Sequence, residues 1–495
     1  MENRTLFFGD NLQVIEERIP DNFFDLIYLD PPFNSNRNYN VLFKEGKIDS
    51  TAQIHAFEDT WEWTPPTIKL FDSLKESNNP QISILMNSLY EIIQPTPMMA
   101  YLVNMTARLI PLRRVLKETG SIYLHCDPTA SHYLKIILDV VFGKQNFRNE
   151  IIWHYGGWTH QKMSRFPKKH DVILFYTKED SKAEFNPISI PWTREEYINL
   201  RKQAIHKDEN GREYIYDERG NAGAKRYLDI ALREGRPIDS VWDIRPITSS
   251  SKERQGYPTQ KPESLLDRII QASSKEGDWV LDPFCGCGTT VAVSEKLKRN
   301  WVGIDISMQA VNVIKERMTN HYPGLRINID GIPMDFESAE SLALKDKFAF
   351  QDWAITLVGA NPPSGESKKG ADRGIDGIIL FREKTNYANP TLRKILVQVK
   401  GGGAGRGDVA KLKGDMEREN APMGILIILK EPTSEMRREA TLTGEYKYSE
   451  ATSFPRIQIL SIHDWFDGKE VKIPSDKINP FRKAKPKSDQ LSLID

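Results

Sequence analysis

The sequence predicts an α/β architecture built in two units. Three observations carry that expectation. Short apolar strands alternate with segments of helical period, glycine- or proline-bearing turns sit at strand ends, and a second strand–helix series begins near Phe348.

The elements follow in order. Residues 5–8 read as an apolar strand running into Gly9-Asp10-Asn11, and 24–29 as a second strand ending at Asp30. Leu102, Met105, Leu109, Leu112 and Leu116 recur at helical spacing, and Thr119-Gly120 stops that helix. Strands are expected at 121–125, 150–155 and 172–176, with a helix at 133–142. From about 180 to 250 the periodicity fades. There Arg194, Arg201, Lys202, Arg212, Tyr214, Tyr216, Lys225, Arg226 and Tyr227 mix charge with aromatic surface, as a solvated irregular insert would. Order resumes with a helix at 265–272, a strand at 279–282, a helix at 291–297 and a strand at 301–305. The second unit has a helix near 350–358 and strands at 377–381, 395–400 and 424–429. A Pro- and Lys-rich tail from Lys472 is expected to be disordered. The expected division is 1–180 and 251–330 for the two halves of one domain, 181–250 for an insert, 331–471 for the second unit with its leading linker, and 472–495 for the tail.

At 495 residues the chain is too long for one ordinary domain. Lys plus Arg balances Asp plus Glu, so a nucleic-acid partner would have to meet local basic surface rather than bulk charge. Cys126, Cys285 and Cys287 are too few and too poorly spaced for a disulfide framework or a zinc knot. The start of the chain lacks a secretory pattern, and no apolar run approaches the roughly 20 residues that span a bilayer. A reducing cytoplasm, bacterial or archaeal and nucleoid-associated, is the expected setting, with no membrane partner.

Two motifs carry chemistry. In Asp282-Pro283-Phe284-Cys285-Gly286-Cys287-Gly288-Thr289 a strand turns into a helix through glycines, where backbone can approach a ligand closely. Asp305, at the end of the next strand, is placed to accept hydrogen bonds from a ribose diol. The loop lacks the third glycine of a dinucleotide site, although a nicotinamide enzyme would look similar at this point. The second motif is Asp30-Pro31-Pro32-Phe33 at a strand end. A carboxylate and a rigid proline carbonyl can accept both hydrogens of an exocyclic amine and aim its lone pair at a methyl group. The aromatic ring can stack on an extruded base.

Together with Tyr257-Pro258-Thr259-Gln260-Lys261-Pro262, these motifs resemble the amino-methyltransferases of DNA, in the order of their beta class, over about 6–307. The resemblance implies a Rossmann-like fold binding S-adenosylmethionine and acting on double-stranded DNA. It implies catalytic Asp30, Pro31, Pro32 and Phe33. Asp282, Phe284, Gly286 and Gly288 would hold the methionine part of the cofactor, Asp305 the ribose, Lys261 and Pro262 the methionine side, and Asp10 and Asn11 the region near the adenine. The 181–250 insert then stands where such enzymes recognise their target. The loop 34–63 would close over the base, or be a passive excursion. The Asp-initial motif favours adenine N6 over cytosine N4, and a homodimer is compatible with this reading. Methyltransferases of RNA or of protein glutamine remain the nearest rivals.

In the second unit, Asp376 and the Gln398-x-Lys400 tripeptide lie at neighbouring strand ends, where Asp376 and Gln398 could hold Mg²⁺ beside Lys400. The run 370–377 with Val397-Gln398-Val399-Lys400 resembles the Mrr-like branch of the PD-(D/E)xK nucleases, over about 348–465. Two departures stand out. Gln351 and Asp352 replace the usual Glu of the preceding helix, and Gly401-Gly402-Gly403 follows the lysine. The resemblance implies a restriction-endonuclease-like α/β domain, either cutting DNA with Mg²⁺ or only binding it.

Overall fold

The computed structural model describes residues 1–32, 61–156, 166–216, 223–248, 251–257, 259–363, 374–383 and 391–477, and the backbone alone of 38–45 and 48–58. Phe33, Pro258, residues 370–373 and the tail beyond 477 therefore lie outside the described residues.

The main sheet consists of β1 (Thr5–Phe8), β2 (Phe24–Leu29), β3 (Leu116–Cys126), β4 (Phe147–His154), β5 (His170–Thr177), β6 (Val241–Asp243), β7 (Trp279–Asp282), β8 (Asn300–Asp305) and β9 (Asn328–Asp330). Their spatial order is β6-β4-β5-β3-β2-β7-β8-β1-β9. Every pairing is parallel except those of β5, which runs against β3 and β4. Helices on both faces explain the apolar run 26–29 of β2, since that part of the strand meets no water on either side. Ile27 and Leu29 pack with Leu102, Met105 and Leu109 of α2 (Pro97–Val115). Leu26 and Tyr28 pack on the other face with Leu265 and Ile269 of α3 (Glu263–Ala272). α2 starts at a proline behind Thr96, whose hydroxyl accepts the Met99 N–H.

The second sheet contains β10 (Gly377–Glu383), β11 (Thr391–Lys400), β12 (Met423–Ile428) and β13 (Ile457–Ser461), antiparallel at its first pairing and parallel thereafter. The two sheets share one core. Leu6 and Phe8 of β1 and Met308 and Val311 of α5 (Met308–His321) join Phe350 and Trp353 of α6 (Lys347–Leu357), which in turn meet Ile379 and Val397. Labels α1 (Asn11–Arg18), α4 (Thr289–Lys296) and α7 (Arg406–Arg418) complete the helices used below.

Four expectations need correction. The insert is folded: helix Arg194–Arg201, helix Leu228–Glu234 and small sheets enclose Tyr197, Ile215, Leu228 and Ala231. Its residues 241–243 belong to the main sheet as β6, because they pair with β4. Several of its basic groups are already neutralised, in the pairs Arg194–Glu213, Arg212–Asp229 and Arg226–Glu234. Finally, the tail is ordered at its start, where Lys472 exchanges hydrogen bonds with Gln458 and Lys477 bridges to Phe381. The 34–63 segment carries a backbone hairpin, Asn38–Glu45 with Ile48–Glu58. Helices Pro65–Lys75 and Pro80–Ile93 then follow without having been anticipated.

Candidate active site

Because β1, β2, β7 and β8 are parallel neighbours, their carboxyl ends open on one edge of the sheet, where ligands of α/β folds bind. That edge gathers Asp10, Asp30, Asp282 and Asp305 from four separate stretches of sequence.

Around the glycine loop, each carboxylate is held by backbone. Asp305 Oδ2 accepts the Gly286 N–H at 2.8 Å and its Oδ1 the Ser307 N–H at 2.9 Å. Asp282 Oδ1 accepts the Phe284 N–H at 3.0 Å. Gly286 and Gly288 adopt left-handed φ values of +49° and +72°, which favour glycine. At Gly288 a Cβ would also stand 2.7 Å from Cγ1 of Ile314, so α5 packs closely only against glycine. Burial pushes Asp282 up to about 7, against the pull of Thr290 and Phe284 and with the charges of Asp30 and Asp305 adding to it. Burial likewise raises Asp305 to about 7, with the Ser307 and Gly286 N–H groups opposing and Asp352 reinforcing. Next to Asp305, Ile306 stands 60% exposed.

A second cluster surrounds Asp30. Lys261 Nζ donates to Asp30 Oδ2 at 2.5 Å, and the backbone carbonyl of Lys261 accepts the Thr289 hydroxyl at 3.2 Å. Lys261, expected along the methionine side, reaches the Asp30 carboxylate with its ammonium. Pro262 is the buried cap residue before α3. Pro31 is buried, and the Pro32 carbonyl accepts the Trp61 indole N–H at 3.1 Å. Behind Asp30, fully buried His125 lies 3.9 Å from its Oδ1. His125 also joins Tyr28 Oη at 2.9 Å and Asp171 at 3.1 Å. Burial alone would raise Asp171, yet His125, Lys261 and Tyr155 outweigh it and hold its carboxyl below the ordinary value.

Asp10 and Asn11 form the third cluster. Asp10 caps α1 through the Leu12 N–H, and Arg108 from α2 donates to Asp10 at 3.0 Å and to Asn11 at 2.6 Å. Asn11 passes the connection on, donating to the Pro283 carbonyl at 2.6 Å. Arg108 thus ties the β1 turn to the glycine loop. Sequence reasoning missed it, together with Tyr28, His125, Asp171 and Trp61. The one available clue was a cation set within the apolar rhythm of α2.

Residues 24–316 match the family model described as a DNA methylase. The chain belongs to the DNA methylase family. Among its relatives, Type II methyltransferase M.HpaI of Haemophilus parainfluenzae is 32% identical over 211 residues, covering 43% of this chain and 57% of that protein. DNA adenine methyltransferase YhdJ of Escherichia coli (strain K12) is 24% identical over 323 residues, covering 65% of this chain and 85% of that one. The solved PvuII DNA methyltransferase, described as cytosine-N4-specific, is 13% identical with a TM-score of 0.37, covering 64% of this chain and 86% of its own. The matches span 57% of the length of three of the curated relatives. Residues 363–456 match a second model, described as a NACHT-associated inactive restriction endonuclease.

In the second sheet of this methylase, Asp376 Oδ2 accepts the Val399 N–H at 2.6 Å. Gln398 is buried and donates its amide to Asp415 of α7 at 2.5 Å, while its Oε1 has no hydrogen-bond partner. Lys400 pairs with Asp408 of α7 at 3.3 Å. Asp352, the acid standing in for the expected Glu, points elsewhere and accepts the Met308 N–H at 2.6 Å. No cluster of three His, Cys, Asp or Glu suited to a metal occurs among the described residues. None of the described helices is long and apolar enough to cross a membrane.

Proposed function

We propose that the chain transfers a methyl group from S-adenosylmethionine to an exocyclic amino nitrogen in double-stranded DNA, as the modification arm of a restriction-modification system. The convergence of Asp30 with Asp282 and Asp305 on one strand edge is the observation that carries this reading. Three carboxylates crowded in a low-dielectric recess favour a cationic ligand over an anionic one. The glycine turn and the half-buried Asp305 suit its ribose, since each Asp305 oxygen accepts one backbone N–H and keeps a second lone pair. When bound, S-adenosylmethionine supplies an electrophilic methyl on sulfonium.

The chain's own residues then orient the nucleophile. Lys261 occupies Oδ2 of Asp30 and leaves Oδ1 for one amine hydrogen. The Pro31 carbonyl takes the other hydrogen, and Phe33 offers the stacking face. Asp30 would accept the proton that the nitrogen sheds as the methyl's bond to sulfur breaks, a neutral thioether leaves and the N–C bond forms. Adenine N6 is favoured by the Asp-initial motif and by the likeness to an adenine methyltransferase. Lys225 lies over the Tyr214 ring at 4.8 Å, and with the exposed Tyr216 it makes the insert the proposed DNA-reading surface.

Labelled S-adenosylmethionine and duplex DNA test the proposal. Label should appear in N6-methyladenine after nucleoside digestion, and Asp30→Ala should lower transfer at least about 1000-fold. Label confined to RNA or protein would refute it.

For the second unit, the donor set favours the non-cutting reading. Asp376 and Gln398 would have to hold Mg²⁺, yet Gln398 and Lys400 are engaged by α7 and the third acid faces the cofactor half. The likeness to an inactive endonuclease supports the same reading. Metal-dependent plasmid cleavage that is lost in Asp376→Ala would restore the cutting alternative.

A further inference from the structure

Asp352 stands out because it lies outside the 24–316 methylase match yet reaches the cofactor edge. Its helix, α6, opens the second unit and is locked by Phe350 and Trp353 into the core shared with β1 and α5. The peptide between Asp305 and α5 is only two residues long. The first N–H groups of a helix lack intrahelical partners, and here they are shared out. Ser307 N–H goes to Asp305 itself, Ala310 N–H makes a long 3.4 Å bond to the Ser307 hydroxyl, and Met308 N–H goes to Asp352 at 2.6 Å. The same turn is gripped a second time. Gln309, buried, donates to Asn361 just beyond α6, and its Oε1 has no hydrogen-bond partner.

We propose that Asp352 is a positioning residue for the cofactor site, through which the second unit fixes the turn that presents Asp305. The inference rests on the reading of Asp305 as the ribose ligand. It makes the second unit a working part of the methyltransferase, whatever it does to DNA. Asp352 acts in two ways. As a hydrogen-bond acceptor it holds the Met308 N–H and sets the start of α5. As a charge it opposes ionisation of Asp305, and burial in turn raises its own carboxyl to about 6.

Of the titratable groups facing Asp305, Tyr257 and Cys285 are pushed up by burial and stay neutral near pH 7. Asp352 on α6 is therefore the neighbouring charge that raises Asp305, which in turn raises Asp282 on β7. An ionised Asp305 is the stronger acceptor for hydroxyl hydrogens, so affinity should fall as pH drops through its titration. Removing the neighbouring negative charge moves that fall to lower pH.

Calorimetric titration of the full-length chain with S-adenosylmethionine, from pH 5.5 to 8.5, tests the proposal. Asp352→Ala should weaken binding about fivefold at high pH, the effect of a lost helix cap. Asp352→Asn keeps an acceptor oxygen, so it should bind within about twofold of wild type at high pH, with its acid loss displaced to lower pH. A merely structural residue would not produce that displacement. Should Asp352→Ala fail to fold, the Asp352→Asn profile decides alone. A profile superimposing on wild type would overturn the proposal. Failure of the underlying reading is recognised separately: wild type would not bind, or Asp305→Ala would bind as well as wild type.

Discussion

In the first sheet Asp30, Asp282 and Asp305 converge with Lys261 close to one of them, whereas in the second Lys400 faces Asp408 and Gln398 faces Asp415. Both regions offer acids, a lysine and parallel strand ends. They differ in what answers the charges. At the first edge burial, reinforced by neighbouring carboxylates, raises two carboxyls to about 7. In the second, a single helix, α7, supplies a partner to each polar side chain of the tripeptide. A site that awaits a ligand carries unbalanced charge; in the second sheet each charged or donor group of the tripeptide is answered, and only the neutral Gln398 Oε1 lacks a hydrogen-bond partner.

The two lysines give the largest expected contrast. Lys261→Ala strips Asp30 of its buried counter-charge and should lower single-turnover methylation about 100-fold, with partial recovery in Lys261→Arg. Lys400→Ala should leave methylation within about twofold, being a part-exposed pair in the other sheet. Equal losses in the two variants would dissolve the distinction.

The acids of the two regions should also respond to pH with opposite sign. Asp282 has its folded value raised from 3.8 to about 7, so the folded state holds a proton across that window which the unfolded state has released. Its contribution therefore declines as pH rises toward 7. In the second sheet burial would raise Glu383, but Tyr446 and Arg393 prevail and hold its carboxyl below the ordinary value. Its contribution is present above that value and is lost as pH falls. In the ligand-free protein, Asp282→Asn should flatten the loss of thermal stability as pH rises from about 4 to about 7, and Glu383→Gln should flatten the loss below pH 4.5. Melting curves across pH check both, and slopes that do not change would contradict the assignments.

What could be read in advance follows the range of the interaction. Asp30, Asp282 and Asp305 were legible because each ends an apolar run, and a parallel sheet brings such ends together without further instruction. Arg108 was not, because its meaning depends on Asn11, 97 residues away. Lys261 was found, but its link to Asp30 was not, since that partner lies 231 residues upstream. The role of Asp352 was likewise out of reach. In the sequence it marks only a departure from the usual helix Glu, while the packing of Phe350 and Trp353 turns that helix toward β1 and α5. The insert looked irregular because its elements are short and their core is made of only a few side chains.

The smallest expected effect tests that second network itself. Gln398→Leu alone leaves the buried Asp415 without its 2.5 Å donor, which should cost about 1–3 kcal/mol in urea denaturation. Adding Asp415→Leu removes the carboxylate oxygen left without that donor and should return stability to within about 1 kcal/mol of wild type, because an apolar pair of similar size replaces the polar one. Arg418, which also pairs with Asp415, is half exposed and can turn to water. Millimolar Mg²⁺ should leave the wild-type midpoint unmoved in the same experiment. A midpoint that rises with Mg²⁺, and loses that rise in the double variant, would mean that Gln398 exchanges Asp415 for a metal. The second sheet would then be a poised site like the first.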